Sequence, residues 1–142
     1  MSGGIIDRPA LLKLVPHAGN MCLLERVISH SELAIQCAAG SHRDPDHPLR
    51  RDGQLAALHL AEYASQAMAV HGALAAGGTA RPGMLAALRE IRLHVGRIDC
   101  IASDLHIEAT RRVLQTDGSL YEFCVHGDGR LLCEGRIAIA LV

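Results

Sequence analysis

The chain has 142 residues, 49% of them hydrophobic but only 2% aromatic, and a formal net charge of −1. A length of this order suits one domain, residues 1–142, whose core must be built from Leu, Ile, Val and Ala. The near-zero charge gives no support for a nucleic-acid binder, and no apolar run is long enough to span a membrane.

Asp7 to Leu14 reads as a short helix, with Asp7 as cap and Pro9 in the first turn, where its missing N–H costs nothing. Val15 to Asn20 is a turn-rich connector. Met21 to Ser29 is apolar around Glu25 and Arg26 and reads as a strand. Leu33 to Ala39 alternates as a half-buried strand does. Gly40 to Asp52 is a polar loop with two prolines, two histidines and three arginines. A long helix is expected from Gly53 to about Ala76, with Asp52 as N-cap and Gly77-Gly78 at its end.

Leu, Ala and Met cover most of that helix, leaving His59, Glu62, Ser65 and Gln66 as its polar positions. A helix apolar on most of its circumference is buried on most of it, so Glu62 is a carboxylate in a core element. Beyond it only strand patterns appear. Met84 to Val95 alternates, with helix as the competitor in its first half. Leu105 to Leu114 and Leu120 to Val125 flank a Thr116-Asp117-Gly118-Ser119 turn. His126 to Gly129 is a second turn, and Leu131 to Val142 is the last strand. The pattern predicts an α+β fold, an antiparallel sheet of five to six strands wrapped around one long central helix.

The five cysteines are scattered without a CxxC pair. They read as small buried hydrophobes in a reducing compartment. No basic-then-apolar leader opens the chain, so a cytoplasmic location is expected. His71, His94, His106 and His126 share no face, and no metal site is expected.

The segment LVPHAGNMCLLERVIS, Leu14 to Ser29, resembles the N-terminal pattern of the hotdog-fold dehydratases that act on 3-hydroxyacyl groups of acyl carrier protein. Pro16-His17 and Glu25-Arg26-Val27 match it. Glu62-Tyr63-Ala64-Ser65-Gln66 is similar to that family's Glu-x-x-x-Gln helix motif, whose glutamate is catalytic. The family's Gly-His-Phe-Pro turn has Asp46-His47-Pro48-Leu49 as its nearest equivalent here, one residue further from the glutamate, and the Pro-Gly that opens the family's helix is absent. The pattern is most similar to the divergent dehydratase-like subunits of aryl-polyene-type clusters, in some of which the histidine turn is lost.

The resemblance implies a hotdog fold and dehydration of a 3-hydroxyacyl thioester to the trans-2-enoyl thioester. It implies no cofactor beyond the phosphopantetheine arm that carries the substrate. It also implies a homodimer or a heterodimer with a related hotdog subunit, since histidine and glutamate come from different chains. Dehydration needs a base at C2, an acid at the 3-hydroxyl and donors to the thioester oxygen. His47 is the candidate base and His42 the second choice. Glu62 is the candidate acid, kept protonated by burial. Backbone N–H groups near Gly53 are candidate oxyanion donors, Gln66 is placed to orient Glu62, and Ala87 is a candidate for limiting tunnel depth. His17 matches a position that is usually structural, and a structural role is expected of His59. Arg50 and Arg51 face either an acidic carrier protein or solvent. A hotdog thioesterase and a non-catalytic partner subunit of a true dehydratase are the alternative readings.

Overall fold

The computed structural model describes residues 4–14, 21–77 and 83–141. The expected connector over 15–20, His17 included, lies outside the described residues.

Asp7 accepts from the Ala10 N–H at 3.3 Å and caps α1 (Arg8–Leu11), with Pro9 in its first turn. The expected strand from Met21 is shorter. β1 spans Arg26–His30, because the backbone of residues 21–24 is occupied by side chains of other elements described below. β2 (Ala34–Ala39) follows and pairs with β1. A 3-10 turn over Ser41–Arg43 lies in the polar loop.

The central helix corrects the expectation at one end. A 3-10 turn runs over Ala57–His59, and α2 spans Leu60–Ala75. Asp52 does not cap it. Asp52 and Gly53 both take positive φ, 53° and 74°, in a turn joining Arg51 to Gln54. Ala56 is extended, and residues 55–57 are tied to the connection that precedes β4. Leu55 N–H donates to Asp99 Oδ1 at 2.8 Å, Ile98 N–H to Leu55 O at 2.9 Å, and Ala57 N–H to Gly96 O at 3.0 Å. Three tertiary hydrogen bonds outweigh the few tenths of a kcal/mol per residue by which Leu, Ala and Gln favour helix. Arg97, paired with Asp99, holds that carboxyl well below the usual carboxylate range. At the other end Gly77 has φ 82°, as a helix-terminating glycine should.

β3 (Gly83–Leu93), β4 (Leu105–Gln115), β5 (Gly118–Gly127) and β6 (Arg130–Leu141) complete one six-stranded sheet in the order β1-β2-β4-β5-β6-β3, with every pairing antiparallel. Alternation decides its two faces. Leu105, Ile107 and Ala109 of β4 and Tyr121, Phe123 and Val125 of β5 are buried. Glu108, Glu122 and Arg112 lie on the other face, where Arg112 pairs with Glu122 at 3.2 Å.

The two hairpin turns differ. Asp128 (φ 51°) and Gly129 (φ 72°) form the β5–β6 turn by left-handed conformation. In the β4–β5 turn, Gln115 pairs with Gly118, so Thr116-Asp117 are the loop and Gly118 already belongs to β5. Its glycine serves close approach, not turn geometry. A Cβ there would meet Ile139 O at 2.6 Å.

α2 lies against β2, β4 and β5. Leu60, Tyr63, Ala64, Ala67, Met68 and Val70 are buried, and the alanines let the backbone approach the sheet. The sheet wrapped on one buried helix is the hotdog arrangement. Cys22, Cys37 and Cys133 are buried, as expected of small hydrophobes. Cys124 is half-buried and Cys100 exposed, which corrects the reading for that one. No described helix is long and apolar enough to cross a membrane.

Candidate active site

The polar loop over residues 40–52 and the first turns of α2 bring three long-range elements together. Tyr63, on α2, is fully buried and directs its hydroxyl at Ser41 Oγ (2.8 Å) and His47 Nε2 (3.1 Å). Ser41 Oγ–H donates to Leu23 O at 2.8 Å. The Leu49 N–H donates to His47 Nδ1 at 3.1 Å. These contacts fix every proton. Nδ1 of His47 accepts, so Nε2 carries the hydrogen and donates to the Tyr63 oxygen. The only hydrogen of Ser41 is committed to Leu23, so Tyr63 must donate to Ser41. The chain of donors therefore runs one way, from Leu49 through His47, Tyr63 and Ser41 to Leu23.

The chemistry of the histidines follows. His47 is 5% exposed. Burial, then the Arg50 charge, then His59 lower its pKa from the ordinary value, and Asp44 opposes them. A second proton on Nδ1 would also oppose the Leu49 N–H. His47 is thus a neutral ring with both nitrogens engaged. His42 is fully buried, its Nε2 donates to Ile101 O at 3.0 Å, and its Nδ1 has no hydrogen-bond partner among the described residues. Burial lowers its pKa as well. His47 has both nitrogens engaged, and the unpartnered Nδ1 of His42 is buried, so the arrangement does not favour the role of base expected of His47 or of His42. Burial also pushes the Tyr63 hydroxyl up to about 12.

Glu62 precedes Tyr63 and is turned about 100° from it around the helix. It is half-buried, in the first turn of α2, and its carboxyl has no hydrogen bond or ion pair to any described residue. The complete burial expected of it is not reached within one chain. The structure puts Gln66 to a use other than orienting Glu62. Its Oε1 accepts from Leu23 N–H at 2.8 Å, and its Nε2 donates to Met21 O at 2.7 Å. Gln66 thereby clamps the segment ahead of β1 onto α2, as a neighbouring strand would.

Gly53 is exposed and stands well ahead of Leu60, the first α2 residue, so it is not at the positive end of the helix. Its carbonyl accepts from Arg50 Nη1 at 2.8 Å, while Arg50 Nη2 donates to His42 O at 3.0 Å. Arg50 is a brace of the loop, whereas Arg51 is exposed. Ala87 is half-buried on β3, opposite Ala138 of β6. His59 ends the 3-10 turn before α2 and makes no side-chain cap. A cavity of about 530 Å³ opens beside His47 and Ser41 and is rimmed by Arg43, Asp44 and Asp104. Glu62, Gln66, Gly53 and Ala87 do not line it. Among the described residues no three metal-ligating side chains converge.

The network through Tyr63 was not anticipated from the sequence. Its one signal is composition. Only two tyrosines occur in the chain, and a tyrosine in an otherwise Ala- and Leu-rich core helix has a hydroxyl that needs a partner. The second, Tyr121, follows the same rule, with its hydroxyl 2.6 Å from Nδ1 of the buried His71.

The model of the ApeP-like family, described as ApeP dehydratase, matches residues 9–141, and the chain belongs to that family. No functionally curated protein matches it in sequence. Among solved structures it is similar to the dehydratase heterocomplex ApeI:P from Xenorhabdus doucetiae. The TM-score is 0.81 at 25% identity, over 93% of this chain and 90% of that one. A mutant thioesterase from Pseudomonas aeruginosa gives a TM-score of 0.61 at 13% identity, covering 82% of this chain and 80% of that chain. AziG from S. sahachiroi gives 0.64 at 12% identity, covering 91% and 98%. The last two likenesses show the fold alone.

Proposed function

We propose that this chain is one subunit of a dehydratase that removes water from 3-hydroxyacyl thioesters carried on acyl carrier protein. It lends the carboxyl of Glu62 to a site completed by a second, related hotdog subunit. The observation that supports this best is a contrast. Glu62 is half-buried with a carboxyl that no described residue bonds, whereas both nitrogens of His47 are engaged and the unpartnered Nδ1 of His42 is buried.

In this reading the partner subunit supplies the base that takes the C2 proton. Glu62 gives its proton to the 3-hydroxyl, which leaves as water, and the trans-2-enoyl thioester remains. A second subunit covering the half-buried Glu62 would close the carboxyl and the substrate off from water. Glu62 also lies at the positive end of α2, where negative charge developing on the thioester oxygen is favoured. The heteromeric assembly of the related ApeI:P dehydratase supports a partner of the same fold.

The test is Glu62→Gln in the complex of this chain with its hotdog partner. A general acid contributes about 10²–10⁴-fold, so dehydration should fall by that factor while the complex still forms. Unchanged dehydration would remove Glu62 from the reaction.

A further inference from the structure

We propose that Tyr63 is a positioning residue for the dehydration site, pinning the first turn of α2 and with it the direction of the Glu62 carboxyl. The proposal rests on the functional reading above.

α2 begins without a side-chain cap at His59, so its own N-terminus does little to fix how it is rotated about its axis. Two side chains of one face supply that constraint. Tyr63 is held from the loop side by His47 and Ser41, and Gln66, one turn later, is held by the backbone of Met21 and Leu23. The two tethers meet at Leu23, whose N–H goes to Gln66 and whose carbonyl accepts from Ser41. Residues from three separate stretches of chain thus form one satisfied polar network inside an apolar core, an arrangement that specifies a single geometry.

Tyr63 acts on Glu62 by leverage. The two are consecutive on the helix, so rotation about the axis carries both. A carboxyl lies at about 6 Å from the axis, the outer radius of a helix with its side chains. A rotation of about 10° then moves it by about 1 Å, a displacement that can cost on the order of 10²-fold in rate. The one-way donor chain adds a second effect. Tyr63 is the acceptor for His47 Nε2–H and the donor to Ser41, so it also holds the histidine ring in the tautomer that the Leu49 N–H selects.

The experiment compares Tyr63→Phe, Ser41→Ala and Ser41→Thr in the complex with the hotdog partner, using a 3-hydroxyacyl thioester of acyl carrier protein. Tyr63→Phe and Ser41→Ala should each lower kcat by about 10- to 100-fold with KM within about twofold. The double variant should lose little more than either alone, and Ser41→Thr, which keeps the hydroxyl, should restore the rate. Proton–nitrogen NMR of the histidine rings in the same proteins should place the His47 proton on Nε2 in the parent. In Tyr63→Phe that signal should change while melting remains cooperative.

Loss of activity that tracks only a falling Tm, with kcat and KM moving together, would overturn the positioning role. A parent His47 carrying its proton on Nδ1 would overturn the donor chain. Full activity in Tyr63→Phe beside an inactive Glu62→Gln would overturn this proposal and leave the functional reading standing. Full activity in Glu62→Gln would defeat the functional reading and this proposal together.

Discussion

Gln66 offers the sharpest test of how the segment ahead of β1 is held to α2. Its side chain is 2% exposed and makes two short bonds, Oε1 to Leu23 N–H at 2.8 Å and Nε2 to Met21 O at 2.7 Å. Gln66→Met keeps the volume and removes both, so any cavity cost is small. Leu23 is fully buried, so its N–H would be left without an acceptor, at about 1–3 kcal/mol, and the second lost bond adds about 1 kcal/mol. The total is about 2–4 kcal/mol. For a chain of this length each kcal/mol shifts Tm by roughly 3–4 °C, so a fall of roughly 6–16 °C is expected. Urea unfolding followed by circular dichroism should show a lower midpoint at unchanged m-value. Gln66→Glu keeps an acceptor for Leu23 but sets a carboxylate against Met21 O. The folded state should then favour the protonated acid, which can donate, and the variant should recover stability as pH falls and lose it as pH rises. A loss below about 0.5 kcal/mol in Gln66→Met, the range of surface substitutions, would refute the clamp.

Acid should weaken the fold. Burial is the first cause of the lowered pKa in His42, His47 and His71, so their folded values lie below the ordinary 6.5. The unfolded chain takes up more protons as pH drops. The contribution of these rings is complete above about 6.5 and is lost as pH falls below it toward the folded values. Urea midpoints measured from pH 7.5 down to pH 5 should decrease, and a flat profile would contradict the buried neutral rings. Gly118→Ala should cost about 1–3 kcal/mol by overpacking, since its Cβ would lie 2.6 Å from Ile139 O. Gly53→Ala has open space around it and meets only the penalty of φ 74°, about 1–2 kcal/mol. Thermal melts of the two at several pH values should show that Gly118→Ala also lowers cooperativity, while equal and negligible losses would contradict the close approach of β5 and β6.

What was legible in the sequence was what nearest neighbours decide. The Asp7 cap, the Gly77 stop, the Asp128-Gly129 turn and the alternation of β4 and β5 all rest on local backbone and burial preferences. The missed features depend on partners far along the chain. Leu55 and Ala57 have helical propensity, yet hydrogen bonds with Asp99, Ile98 and Gly96 keep them out of the α-helix. Gly118 sits in an Asp-Gly pair that suggests a turn, and only the position of Ile139 across the sheet shows why glycine is there. At the site, the motif around Glu62 and Gln66 was recognisable, but the direction of Gln66 depends on Leu23, 43 residues earlier. The engagement of His47 likewise depends on Leu49 and Tyr63, which no periodicity of the polar loop reveals.

The central claim is that this chain gives Glu62 to a shared dehydration site. Its most direct test is turnover of a 3-hydroxyacyl thioester of acyl carrier protein, with enoyl formation and free-thiol release followed together. The chain is assayed alone, then in complex with its hotdog partner, in parent and Glu62→Gln forms. The account predicts enoyl product from the complex, little from the chain alone, no thiol release, and loss of product in Glu62→Gln. Enoyl formation that survives Glu62→Gln would contradict it, and release of thiol in place of the enoyl product would identify a thioesterase.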